Sequence, residues 1–80
     1  HNMETDGSLV SKHLLELLNQ KNLTINRIAN LAGLSQSTVN AMFEGRSKRP
    51  TITTIRAVCS ALGITVHDFF DFPPYNEVEK

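Results

Sequence analysis

The chain reads as an all-α domain of five helices, and three observations predict it. Apolar residues recur at intervals of three and four, and no useful stretch of the 80 residues alternates with period two. After the first seven residues every glycine falls at the boundary of an apolar-periodic segment. A serine or threonine stands ahead of each segment, where its oxygen can accept a hydrogen bond from an otherwise unpaired amide of the first turn.

Ser8 is placed to cap a first helix in which Val10, Leu14, Leu17 and Leu18 recur at helical spacing, with Leu9 and Leu15 broadening the stripe. That helix ends near Asn19-Gln20-Lys21-Asn22. Thr24 caps a second helix, which Gly33 stops. Ser35 opens a third, which runs to Gly45, a residue suited to the left-handed turn after a helix. Arg46-Ser47-Lys48-Arg49-Pro50 is then a basic loop. Pro50-Thr51 opens a fourth helix with Ile52, Ile55, Val58, Cys59 and Leu62 inward and Gly63 as its stop. Thr65, with Asp68 three residues on, imitates a capping box for a short fifth helix carrying Val66, Phe69 and Phe70, and Pro73-Pro74 closes the regular structure. The domain is expected over residues 8–72, with a C-terminal tail over 73–80. Residues 1–7 read as a disordered start, where His1-Asn2 before Met3 looks like the remnant of an expression tag.

Eighty residues make one domain, which buries only about 60% of the surface its unfolded form exposes. No apolar run approaches the roughly 20 residues that span a bilayer, and no basic start leads into an apolar secretory segment. No membrane partner is expected, and the cytoplasm is the expected compartment. Cys59 has no second thiol for a disulfide and no histidine at metal-ligand spacing, so no metal and no cofactor are expected. His13 and His67 read as ordinary helix residues. A nucleophile with its base, a carboxylate pair and a phosphate-cradling glycine loop are all missing, and so small a core leaves no room for a sizeable pocket. An enzyme and a small-molecule ligand are therefore not expected.

The formal net charge is zero, yet its distribution is uneven. From Lys12 to Arg56 the balance is +5, from Lys12, Lys21, Arg27, Arg46, Lys48, Arg49 and Arg56 against Glu16 and Glu44. The N-terminal end carries −2 (Glu4, Asp6) and the C-terminal end −3 (Asp68, Asp71, Glu77 and Glu79 against Lys80). A basic centre between acidic ends suits binding of a polyanion on one face.

Within that centre, residues 25–42 have the spacing of a DNA-binding helix-turn-helix. Ala29 leaves room for a second helix to cross the first, and Gly33 takes the positive φ of the turn without steric cost. Ser35 caps the next helix. Ile28, Ala32, Leu34, Val39 and Met42 then share a core, while Gln36, Ser37, Thr38 and Asn40 point outward. Short hydrogen-bonding side chains at the leading end of a helix are the types that read base edges.

From about Leu14 to Phe70 the chain resembles the Cro and lambda-repressor type of helix-turn-helix regulators, often called the XRE family. Leu23-Thr24, Ile28-Ala29, Ala32-Gly33-Leu34-Ser35-Gln36-Ser37-Thr38-Val39, Glu44-Gly45 and Ala61-Leu62-Gly63-Ile64 carry the resemblance. It implies a compact five-helix domain that lays its third helix in the major groove, usually as a dimer on a palindromic operator. Carried over position by position, Gln36, Ser37, Thr38 and Asn40 face bases or nearby phosphates, with Ser35 at the head of the same helix. Thr24 and Asn26 hold a phosphate at the start of the second helix, and Arg46, Lys48 and Arg49 reach the backbone from the following loop. The chain departs from the family where Ile25 replaces a common glutamine, Ala41 a frequent arginine and Phe43 a usual acid. The contact surface is thus thinner in charge than is typical, which implies modest affinity for a monomer.

The expected function is that of a sequence-specific transcriptional regulator, a repressor, acting on double-stranded DNA as a homodimer. Phe69, Phe70, Phe72 and Tyr75 place four aromatics in seven residues; some of them must cap the core, but the four exceed what one short helix buries, and a dimer interface is expected among them. The alternative is a protein-interaction module, such as an antitoxin or adaptor, that holds a protein partner through the same segment.

Overall fold

A computed structural model describes residues 5–43 and 51–78. Among them are five helices and no strand: α1 (Asp6–Gln20), α2 (Ile25–Ala32), α3 (Gln36–Phe43), α4 (Ile52–Leu62) and α5 (Val66–Phe69).

Each helix begins at a hydroxyl. Thr5, Thr24, Thr51 and Thr65 accept from the backbone N–H three residues on, at 3.1, 3.1, 3.2 and 2.9 Å. Ser35 does the same for Thr38 at 3.1 Å. Four of these caps stand where the sequence put them. The first does not: Thr5 rather than Ser8 caps α1, and Ser8 supplies the amide that Thr5 receives. The helix therefore starts at Asp6, and Gly7, expected to be disordered, is a buried helical residue.

Three helices end alike. Gly33 and Gly63 adopt φ of 68° and 74°, and Asn22 follows α1 with φ 55°. In each case the next amide reaches back to close the last turn, Leu23 to Leu18 at 2.9 Å, Leu34 to Ala29 at 3.0 Å and Ile64 to Cys59 at 3.0 Å. The stop expected at Gly45, and the loop through Pro50, lie outside the described residues.

Val10, Leu14 and Leu18 of α1, Ile28 and Ala29 of α2, Val39 and Met42 of α3, Ile55, Val58, Cys59 and Leu62 of α4 and Phe69 of α5 make the core. Contacts run chiefly between α2 and α4 and between α1 and α3. Ser11, the buried polar residue among the described ones, donates from Oγ to the carbonyl of Phe43 at 3.1 Å and so ties α1 to the carboxyl end of α3. Burial pushes the Cys59 thiol up from its ordinary pKa. Two expected inward residues turn out differently. Ile52 is 61% exposed because it occupies the first turn of α4, ahead of the part that other helices cover. Leu15 is 38% exposed, since Leu14 and Leu18, one turn apart, already define the buried line of α1.

The chain beyond α5 folds back. Tyr75, Asn76 and Glu77 close turns on Phe72 and Pro74, and the Tyr75 hydroxyl donates to the Asp6 carboxylate at the start of α1. Phe72 stacks on His13 of α1 with centroids 4.0 Å apart, while Phe69 meets the same imidazole edge-on at 5.2 Å. His13 is thus an aromatic partner for the C-terminal segment rather than an ordinary helix residue.

No helix among the described residues is long and apolar enough to cross a membrane. Nor does any group of three or more His, Cys, Asp or Glu among them stand where it could hold a metal ion.

Candidate nucleic-acid interface

The two helices of the motif meet as the sequence requires. Ala29 is buried at the crossing, and Gly33 supplies the left-handed residue between α2 and Ser35. Val39 and Met42 anchor the inner side of α3. That leaves Gln36, Ser37 and Thr38 exposed on its first turn, with Asn40 half-buried one turn later.

These side chains are not equally available. Ser35 Oγ accepts from the Thr38 amide and lies 2.8 Å from Thr38 Oγ1, so both hydroxyls are engaged in capping α3. Gln36 donates from Nε2 to Oδ1 of Asn40 at 2.9 Å, a bond along one turn of the helix face. The Ser37 side chain makes no hydrogen bond among the described residues and is exposed.

At the head of α2 the hydroxyl of Thr24 is taken up by the Arg27 amide, while Asn26 and Arg27 are exposed beside it. Neither α2 nor α3 has an acid in its first turn, and Arg27 carries the sole formal charge of residues 24–43. Two helix N-termini thus bear positive ends unopposed by a carboxylate of their own segment. Arg27, exposed in the first turn of α2, was not among the expected site residues. Arg46, Lys48 and Arg49 lie outside the described residues.

The C-terminal aromatics need a correction. Phe69 is 1% exposed and belongs to the core, so it has no surface to offer a second subunit. Phe70, Phe72 and Tyr75 are half-buried and pack on one another, with centroids 5.0 to 6.2 Å apart. The surplus of rings is largely absorbed by α1 and by the rings themselves.

A family model for the Cro/C1-type HTH DNA-binding domain matches residues 13–75, most of the chain and all of α2 to α5. The chain belongs to this family. The domain is 28% identical over 71 residues to the HTH-type transcriptional regulator PuuR of Escherichia coli (strain K12), and equally to PuuR of Shigella flexneri. Those matches cover 89% of this chain but 38% of the relatives, so it spans about two-fifths of their length. It is also similar to a solved structure, the crystal structure of the prophage Lp1 protein 11, with 80% identity and a TM-score of 0.89 over 95% of this chain and 100% of that one. Fold and motif are those the sequence predicted: an all-helical, Cro/lambda-like domain of the DNA-binding regulator type.

Proposed function

We propose that this domain is a sequence-specific transcriptional repressor that lays α3 in the major groove and acts as a homodimer on a palindromic operator. The observation that carries the reading is the exposed first turn of α3, Gln36-Ser37-Thr38, presented by a motif with no carboxylate between residues 24 and 43. An uncharged, hydrogen-bonding surface flanked by positive helix ends approaches phosphates without repulsion and discriminates bases by donor and acceptor pattern.

In this reading Gln36, Ser37 and Asn40 face base edges. Ser35 and Thr38 hold the first turn and meet the nearby backbone. Thr24, Asn26 and the amides of α2 receive a phosphate, and Arg46, Lys48 and Arg49 add backbone contacts from the following loop. A two-fold axis sets the two α3 helices roughly 34 Å apart, one turn of B-DNA. The outer edges of Phe70, Phe72 and Tyr75 remain the surface through which two copies meet. Relatives named as transcriptional regulators support the regulatory role.

The test is binding to a duplex that the unmodified protein enriches from a random pool. Gln36→Ala is expected to cost roughly 1–3 kcal/mol there and to relax preference at one base pair. Lys48→Ala is expected to weaken all sequences alike and to lower the salt slope by about one per protomer. Equal binding by Gln36→Ala and the unmodified protein would remove Gln36 from the reading role. Stoichiometric capture of a protein partner with no DNA retention at low salt would favour the interaction-module reading instead.

A further inference from the structure

We infer that Asn40 is a positioning residue that orients the amide of Gln36 for base reading, an inference that rests on the proposed role of α3. Gln36 stands exposed on the first turn, where an unrestrained glutamine samples many rotamers and both faces of its terminal amide. Asn40 lies one turn later on the same face and is half-buried. Its Oδ1 accepts from Gln36 Nε2 at 2.9 Å. No comparable restraint comes from the start of α2, where Ile25 has an apolar side chain packed against the core.

The hydrogen-bond inventory shows what this bond leaves available. Nε2 carries two hydrogens, one given to Asn40, and Oε1 keeps its acceptor capacity. One donor and one acceptor on a planar amide form the set that pairs with N7 and N6 of adenine in the major groove. Turning the Gln36 amide alone would set Oε1 against Oδ1, two acceptors facing each other, whereas turning both amides restores the bond with Asn40 Nδ2 donating to Oε1. Asn40 itself, with Oδ1 engaged, presents the two hydrogens of Nδ2, which suit an acceptor such as guanine O6 or N7, or thymine O4. In either sense Gln36 keeps a free donor and a free acceptor, so the pair favours adenine opposite Gln36.

The experiment takes the duplex enriched by the unmodified protein, replaces each base pair of one half-site in turn, and measures competitive binding. Gln36→Ala, Asn40→Ala and Asn40→Asp are compared with the unmodified protein, and thermal melts show that each variant folds. Gln36→Ala should lose discrimination of roughly 5- to 150-fold at one base pair. Asn40→Ala should lose much of the discrimination at that same pair as well as at its neighbour. Asn40→Asp, which can only accept, should keep the preference at the Gln36 pair while binding every duplex more weakly through its added charge. Asn40→Ala leaving the Gln36 pair at unmodified preference would overturn the inference, as would Asn40→Asp erasing that preference as fully as Asn40→Ala. Should Gln36→Ala alter no preference anywhere, the base-reading role of Gln36 fails first and the inference with it.

Discussion

Phe69→Ala separates two roles for the C-terminal aromatics, one within the fold and one between copies. The ring is 1% exposed, among the largest fully buried side chains, and it meets His13 at 5.2 Å, Phe70 at 5.0 Å and Phe72 at 6.2 Å. Truncating a phenylalanine in such a place costs about 3–5 kcal/mol through lost burial and the cavity left behind. A domain of this length has a total stability of about 4–12 kcal/mol, so the variant should sit near the edge of folding, its melting midpoint lower by roughly 15 °C or more. Phe72→Ala, at a half-buried ring stacked on His13, should cost only about 1–2 kcal/mol. Urea unfolding followed at several protein concentrations is the assay. A core role makes the loss independent of concentration, whereas an interface role makes it grow with dimer population and vanish in dilute monomer. A concentration-dependent loss, or one below about 1.5 kcal/mol, would refute the assignment of Phe69 to the core.

Gly63→Ala should destabilise by about 1–2 kcal/mol from backbone strain alone, because φ is 74° and an added Cβ meets nothing within 4 Å; a stability unchanged in urea would contradict this. Thr24→Ala should cost about 1 kcal/mol of stability by freeing the Arg27 amide, read from the same unfolding curves. Burial holds the Cys59 thiol neutral above its ordinary pKa of 9.0, so the folded state keeps a proton that the unfolded chain loses first. That contribution is fully present below the ordinary value and is lost as the pH rises through it toward the higher folded pKa, and thiol labelling at pH 8 should proceed only at the rate at which the domain opens. Labelling as fast as a free thiol would contradict that burial.

Helix boundaries were the most legible part of the sequence, for a local reason. A hydroxyl three residues ahead of an orphan amide, or a glycine at a left-handed position, acts through its nearest neighbours, so Thr24, Gly33, Ser35, Thr51, Gly63 and Thr65 could be read without knowing the fold. Thr5 was missed because Ser8, three residues later, is an equally good cap by type; the earlier start puts Asp6 in the first turn and buries Gly7. Asn22 ends α1 in the role glycine plays elsewhere, a second choice that composition alone does not single out. Leu15 and Ile52 show where periodicity runs out: it marks a stripe, while the width and length actually covered depend on where neighbouring helices stop. Which of the aromatics enters the core was not legible for a related reason. Counting rings against one short helix left out the back of α1, where His13 receives both Phe69 and Phe72, a pairing across more than fifty residues of sequence. At the interface, the exposed residues of α3 were legible from the helical repeat. The bond from Gln36 to Asn40 was available as a one-turn pair, but polar type alone does not tell a base contact from the residue that holds one in place.

The central claim, that α3 reads base sequence, is tested most directly by selecting bound duplexes from a random pool at low salt and sequencing what is enriched. The expected product is a palindrome whose half-sites are centred roughly ten base pairs apart, with adenine a preferred base in each. A pool retained without enrichment of any sequence would contradict it, leaving phosphate attraction alone as the source of binding.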